Sequence, residues 1–181
     1  VAPDPATTVV VNCAGRTRSI IGAQSLINAG IPNKVVALKN GTMGWHLAGL
    51  EVARGETRSF GPQGPEAAKF AQGAAASLAN RMKIKKIDKA ELAKLEARGG
   101  PLYRLDVRDP AEYAQGHLKG FRHAAGGQVV QATDQYVGAR NATIVLHDND
   151  GVRATLTAHW LLQMGWAETY ILEHKPSAGE L

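Results

Sequence analysis

One stretch of this chain occurs twice, and that repeat limits its fold more than any other feature. Residues 8–39 (TVVVNCAGRTRSIIGAQSLINAGIPNKVVALK) align without a gap with residues 143–174 (TIVLHDNDGVRATLTAHWLLQMGWAETYILEH), each position 135 further on. Thr8, Val10, Arg18, Leu26 and Gly30 meet Thr143, Val145, Arg153, Leu161 and Gly165. Both copies read as a buried strand of β-branched residues, a short polar loop, an amphipathic helix ending at glycine, and a second apolar strand. That order specifies parallel strands joined by a crossover helix, hence an α/β fold. With 44% hydrophobic and 20% charged residues, the 181-residue chain has the composition of a globular protein, not of a disordered or fibrous one. No apolar run approaches the roughly 18 residues needed to cross a bilayer, so no membrane is expected as a partner.

The copies differ in completeness. The second is preceded by a unit of its own, the strand Pro101–Arg108 running into a polar loop and a short helix from Pro110. The equivalent of Leu102 in the first copy would precede Val1, so the first copy reads as the carboxyl-terminal half of a domain. Gly41–Gly49 reads as its short closing helix, and the matching positions in the second copy start at 176. Residues 53–65 (ARGETRSFGPQGP) have linker composition, and the alanine-rich Glu66–Asn80 reads as a helix. The expected organisation is a half-domain over 1–58, a linker and helix over 59–80, and a nearly complete second domain over 81–181. A parallel sheet cut in half exposes edges and apolar faces. The expected partner of the first copy is therefore its missing upstream half or a second chain.

The net charge of +5 invites a nucleic-acid reading, but its distribution argues against one. Residues 81–98 alone carry seven basic and three acidic groups, while residues 99–181 carry seven and nine. The basic stretch interleaves Met82, Ile84, Ile87, Leu92 and Leu95 and holds no aromatic ring on which a base could stack. It reads as a strand entry followed by the solvated face of an amphipathic helix, with Asp88 as N-cap and Glu91 closing a capping box.

Chemistry concentrates in the first loop, Cys13-Ala14-Gly15-Arg16-Thr17-Arg18, between the valine strand and a helix expected from about Ser19. A loop at the carboxyl end of a parallel strand presents unpaired N–H groups at a helix start, with the positive end of the helix dipole behind them. A thiol on the floor of such a cradle is pushed toward thiolate, and Arg16 and Arg18 add to the effect. Gly15 allows the tight bend. The product is a nucleophile suited to attack a group carried by an anion. The competing reading of Cys13 is a small buried hydrophobe at a strand end. As the chain's one cysteine it can form no internal disulfide and no multi-cysteine metal site, which suits a reducing, cytoplasmic compartment. No metal or organic cofactor is expected.

NCAGRTRS after the valine strand, followed by NAGIPNKVVALKNGTMGWHLAG, resembles the active-site half of a rhodanese domain, and LDVRDPAEYAQGHLKGFRHA resembles the opening motif of another. The pattern is similar to bacterial proteins with several rhodanese domains in tandem. The resemblance implies a doubly wound α/β fold and a persulfide carried on Cys13. Backbone N–H groups from Ala14 to Arg18 would cradle the outer sulfur, and Arg16 and Arg18 would hold a small anionic sulfur donor such as thiosulfate. A thiophilic acceptor, cyanide or a thiol, would then take the sulfur. It also places Trp45 at the rim of the site, although core packing suits that residue equally. The Cys-x4-Arg spacing is one residue shorter than the loop of related dual-specificity phosphatases, which favours sulfur over phosphate.

The second copy departs at the decisive position. Its loop is Asp148-Asn149-Asp150-Gly151-Val152-Arg153, with Asp148 in place of Cys13. A carboxylate cannot form a persulfide, and two acids repel an anionic substrate. This copy is expected to be catalytically silent, a structural or partner-binding domain. Asp148 and Asp150 lack the further acid that would complete a cation loop. His117 and His123 bracket a Gly-His turn with a structural role, as do Asp106 and Arg108; His147, aligned with Asn12, is expected to orient its loop.

Overall fold

The computed structural model describes residues 4–57 and 61–175. Residues 58–60 of the expected linker and 176–181, where the second closing helix would begin, lie outside them. The chain divides into two compact units, one ending at Phe70 and the next beginning at Ala71.

In the first unit, β1 (Val9–Val11) leads through the cysteine loop into α1 (Thr17–Ala29), and β2 (Val35–Ala37) returns parallel to β1, pairing Val9 with Val35 and Val11 with Ala37. The helix starts at Thr17, two residues before the expected Ser19, and is closed by Gly30 in the left-handed conformation (φ +79°). Then α2 (Gly41–Leu47) forms the expected short closing helix. β1 does not reach the burial that its valine run implies, since Val10 is 56% exposed. A two-stranded sheet with one helix leaves the other face of β1 uncovered.

The second unit is built on α3 (Pro65–Met82), whose start precedes the division, β3 (Lys85–Ile87) and α4 (Lys89–Ala97), then β4 (Leu102–Asp106) and α5 (Pro110–Ala114). It continues with β5 (Arg122–His123), α6 (Gly126–Gln131), α7 (Thr133–Tyr136), β6 (Thr143–His147), α8 (Val152–Gln163) and β7 (Thr169–Leu172). The predicted capping box is present: the Asp88 carboxylate accepts from Glu91 N at 2.8 Å, and the Glu91 carboxylate accepts from Asp88 N at 3.0 Å. Asp109 caps α5 in the same way, with Pro110 at its first position.

All five strands are parallel in the order β3-β7-β6-β4-β5. The alternation of β6 feeds two cores. Ile144 and Leu146 join Leu105, Val129, Ala154, Ala158 and Leu161 on one face, while Val145 joins Leu92, Leu118, Phe121 and Leu172 on the other. Val145, the counterpart of half-exposed Val10, is fully buried, because β4 and β7 flank β6 and helices cover both faces. No helix among the described residues is long and apolar enough to cross a membrane.

Candidate active site

The cysteine loop hangs on the first turn of α2. The Thr42 N–H donates to the Cys13 carbonyl at 3.0 Å and the Met43 N–H to the Ala14 carbonyl at 2.9 Å, while the Asn12 side chain donates to Thr42 Oγ1 at 3.2 Å. Gly41, at φ +57°, makes this approach possible. A Cβ there would lie 2.1 Å from the Cys13 carbonyl oxygen and 2.4 Å from that of Gly15. The helix read from sequence as a closing element therefore shapes the loop, and Asn12 orients it through Thr42.

Cys13 is half-buried. Its thiol is lowered from its ordinary value, first by the hydroxyl of Ser19, whose Oγ lies 3.5 Å from Sγ. Partial desolvation works against this, while the backbone N–H groups of Ser19 and Gly15 and the charge of Arg18 add to the lowering. The amides acting on Sγ of the free thiol are those of Gly15 and Ser19; the Ala14-to-Arg18 set implied by the resemblance concerns the outer sulfur of a persulfide. Ala14, Arg16, Thr17 and Arg18 are exposed, and Gly15 is half-buried. Arg16 occupies the N-cap position of α1 without a side-chain cap, and no acid lies in the first turn. First-turn arginines are disfavoured by the helix dipole unless an anion compensates.

Ser19 is the residue that the sequence reading missed. It is 1% exposed, on a helix face where an apolar side chain is expected. A buried hydroxyl six positions after the cysteine, where the repeat has Ala154, was the available signal. Trp45 is 42% exposed and its indole N–H donates to the Glu51 carbonyl at 2.7 Å, so it is not a core residue.

In the second loop Asp148 is buried and occupies the cradle itself. Its Oδ1 accepts from Gly151 N at 2.6 Å and its Oδ2 from Ala154 N at 2.8 Å. Burial nevertheless raises its pKa above the ordinary carboxylate value, the two amides opposing that shift. Asp150 accepts from Val152 N at 3.0 Å, and Asn149 accepts from the Arg108 guanidinium at 3.0 Å. Gly151 caps α8 at φ +77°, and Val152 is the helix's first residue. Arg153, the counterpart of Arg18, is held by both oxygens of Glu112, one at 2.8 Å. This pairing, first among several causes, keeps the Glu112 carboxyl at about 2.

A cavity of about 500 Å³ opens beside this loop, lined by Asp148, Asp150, Lys86, Thr155, His174 and Lys175 among others. Among the described residues no cluster of three or more metal-ligating side chains occurs.

The remaining candidates are structural ties. Arg108 is buried, bonded to both Asp106 oxygens and to the Gly116 carbonyl at 2.8 Å. His123 Nε2 lies 3.0 Å from the Arg108 carbonyl. His117 stacks on Tyr113 at 3.7 Å, and its Nδ1 lies 3.1 Å from the Tyr113 carbonyl. His147 reaches the His174 carbonyl at 3.0 Å, which ties the end of β6 to the chain after β7.

Residues 88–174 match the model of the rhodanese-like domain. The structure is similar to that of a thiosulfate sulfurtransferase from Pseudomonas aeruginosa, with a TM-score of 0.92 and 50% sequence identity over 99% of this chain. The chain spans 34% of that protein, about a third of its length. A 3-mercaptopyruvate sulfotransferase from Escherichia coli matches at 14% identity and a TM-score of 0.40, covering 96% of this chain and 68% of that one. No match was found among curated proteins. The family motifs, the five-stranded parallel α/β unit and the likeness at 50% identity lead to one conclusion: the chain belongs to the rhodanese family.

Proposed function

We propose that the protein is a cytoplasmic sulfurtransferase that passes a sulfane sulfur from a small anionic donor, thiosulfate or a chemical equivalent, through a Cys13 persulfide to a thiophilic acceptor. The observation that carries this reading is the environment of Cys13. Its thiol is lowered toward thiolate by the Ser19 hydroxyl and by N–H groups at the start of α1, with Arg16 and Arg18 exposed alongside.

In loading, the thiolate attacks the outer sulfur of thiosulfate. The Sγ–S bond forms as the S–S bond of the donor breaks, and sulfite leaves with the electron pair. The cationic loop favours a dianionic donor and a departing anion, and amides aimed at sulfur hold the anionic persulfide. In discharge the acceptor attacks the outer sulfur and Sγ departs as thiolate. Neither step needs a redox partner.

The first unit takes part in this reading only when its sheet is completed. We infer that a segment equivalent to residues 102–142 lies beside β1, because the same strand in the second unit is flanked by β4, whereas Val10 stands half-exposed. The second unit serves as a non-catalytic domain, structural or partner-binding, since Asp148 cannot carry sulfur and already occupies the local amides.

The test is intact mass of the full protein after incubation with excess thiosulfate and its removal. A gain of one sulfur is expected, lost on cyanide treatment and absent from Cys13→Ser. No gain in protein with a free thiol would overturn the reading.

A further inference from the structure

Ser19 differs from the other hydroxyls that bond the carbonyl one turn back, such as Ser25 and Thr157, in also meeting the cysteine sulfur. It is buried beneath the cysteine loop, its Oγ 2.9 Å from the Arg16 carbonyl and 3.5 Å from Cys13 Sγ. A hydroxyl has one hydrogen and two acceptor lone pairs. With the thiol neutral, that hydrogen goes to the Arg16 carbonyl while the S–H points at Oγ. Once the sulfur is charged it has no hydrogen to offer and becomes an acceptor. The hydroxyl can then turn to it at little cost, because the Arg16 carbonyl still accepts from Ile20 N at 3.2 Å. The repeat supplies an internal control. At the equivalent position beside Asp148 stands Ala154, whose N–H meets the carboxylate directly. The hydroxyl is present where the sulfur is and absent where it is not.

We propose that Ser19 is a further catalytic residue of the sulfur transfer inferred above, its hydroxyl turning from the Arg16 carbonyl to Cys13 Sγ and holding that atom as the departing thiolate when the persulfide gives up its outer sulfur. The inference rests on the persulfide reading of Cys13. In discharge the bond from acceptor to outer sulfur forms, the Sγ–S bond breaks, and both electrons remain on Sγ. Ser19 contributes a hydrogen bond and transfers no proton. The effect on the two half-reactions is unequal. Stabilising the thiolate lowers the barrier to its departure in discharge, whereas in loading the same hydrogen bond weakens the nucleophile even as it increases the ionised fraction. The two influences oppose each other only in loading.

The experiment measures both half-reactions separately in the full protein, as single turnovers at pH 9: loading by thiosulfate and discharge by cyanide. It adds the pH profile of Cys13 alkylation by iodoacetamide. Ser19→Ala is compared with Ser19→Thr, which keeps the hydroxyl. Alanine is the residue at the matching helix position of the second unit, so the fold accommodates it. Discharge of Ser19→Ala should slow by about tenfold, the scale of one hydrogen bond to a charged group, while loading changes by less than about threefold. Its alkylation midpoint should move to higher pH, and Ser19→Thr should stay near wild type in all three readings.

Wild-type discharge in Ser19→Ala would overturn the proposal. So would an equal loss in Ser19→Thr, which would point to packing rather than to the hydroxyl. Wild-type protein that takes up no sulfur would instead remove the persulfide reading itself, and the alkylation profile would still show whether Ser19 holds the thiolate.

Discussion

The Cys13 and Asp148 loops lie at the same place in the same strand-loop-helix-strand unit and answer one electrostatic problem in two ways. Each ends a parallel strand at the start of a helix, where backbone N–H groups lack helical acceptors. In the second unit the chain supplies its own acceptor, the Asp148 carboxyl group, bonded to Gly151 N and Ala154 N. In the first it supplies a thiol, whose charge is favoured by the Ser19 hydroxyl and by the amides of Ser19 and Gly15. The arginines diverge in parallel. Arg153 is clamped by Glu112, whereas Arg18 is exposed and has no acid beside it in the first turn of α1. A loop whose amides are taken by its own side chain is a structural feature; one that holds a thiol accompanied by exposed cations can serve a reaction.

The sharpest break of this comparison lies in what holds the first loop in shape. Gly41→Ala forces a Cβ against two loop carbonyls at a positive φ. Sulfur loading of Cys13, followed by intact mass, should fall by about a hundredfold or more, as expected for a reacting atom displaced by about 1 Å. Unchanged loading would show that α2 does not position the loop.

Asp148→Ala should destabilise the second unit by about 1–2 kcal/mol in denaturant unfolding, since two buried N–H groups lose their acceptor. Asp148→Asn keeps an acceptor and sheds the cost of burying charge, so it should lose less. Equal losses would mean that the resident charge itself is essential.

The carboxylates of the second loop region also differ in pH response. Glu112, held at about 2, stabilises the fold above its ordinary value of 4.5, and that contribution is lost as pH falls toward 2. Asp148, raised by burial, contributes stability below its ordinary value of 3.8 that is lost as pH rises through its folded value. Thermal unfolding across pH 2–7 should therefore show a shallower acid loss in Glu112→Gln. An unchanged acid limb would show that the Arg153 clamp is not what keeps Glu112 ionised.

The smallest expected effect is a null result. In a Cys13→Ser background, Asp148→Cys should load sulfur at under about a hundredth of the normal rate, because the Ser19 hydroxyl and a free arginine are both missing there. Substantial loading would mean that residue 148 alone separates the two copies.

Much of this was legible in the sequence. The repeat, the parallel topology, the cap at Asp88, a strand within residues 101–108 and the short helices from Pro110 and Gly41 follow from patterns local in the chain. α1 begins at Thr17 instead of near Ser19, and Val10 stays half-exposed because burial of a strand depends on its neighbours, not on its own valines.

The sequence by itself determined that one copy carries a cysteine with two arginines and the other an aspartate, and that both sit between a parallel strand and a helix. Only the tertiary structure decided which groups meet those side chains: Ser19 at Sγ, Thr42 and Met43 under the loop, and Glu112 on Arg153. The reason is range. Periodicity reports a residue's own element through burial, whereas a hydrogen bond depends on direction and a few tenths of an ångström between groups that lie 29 or 41 residues apart in the chain.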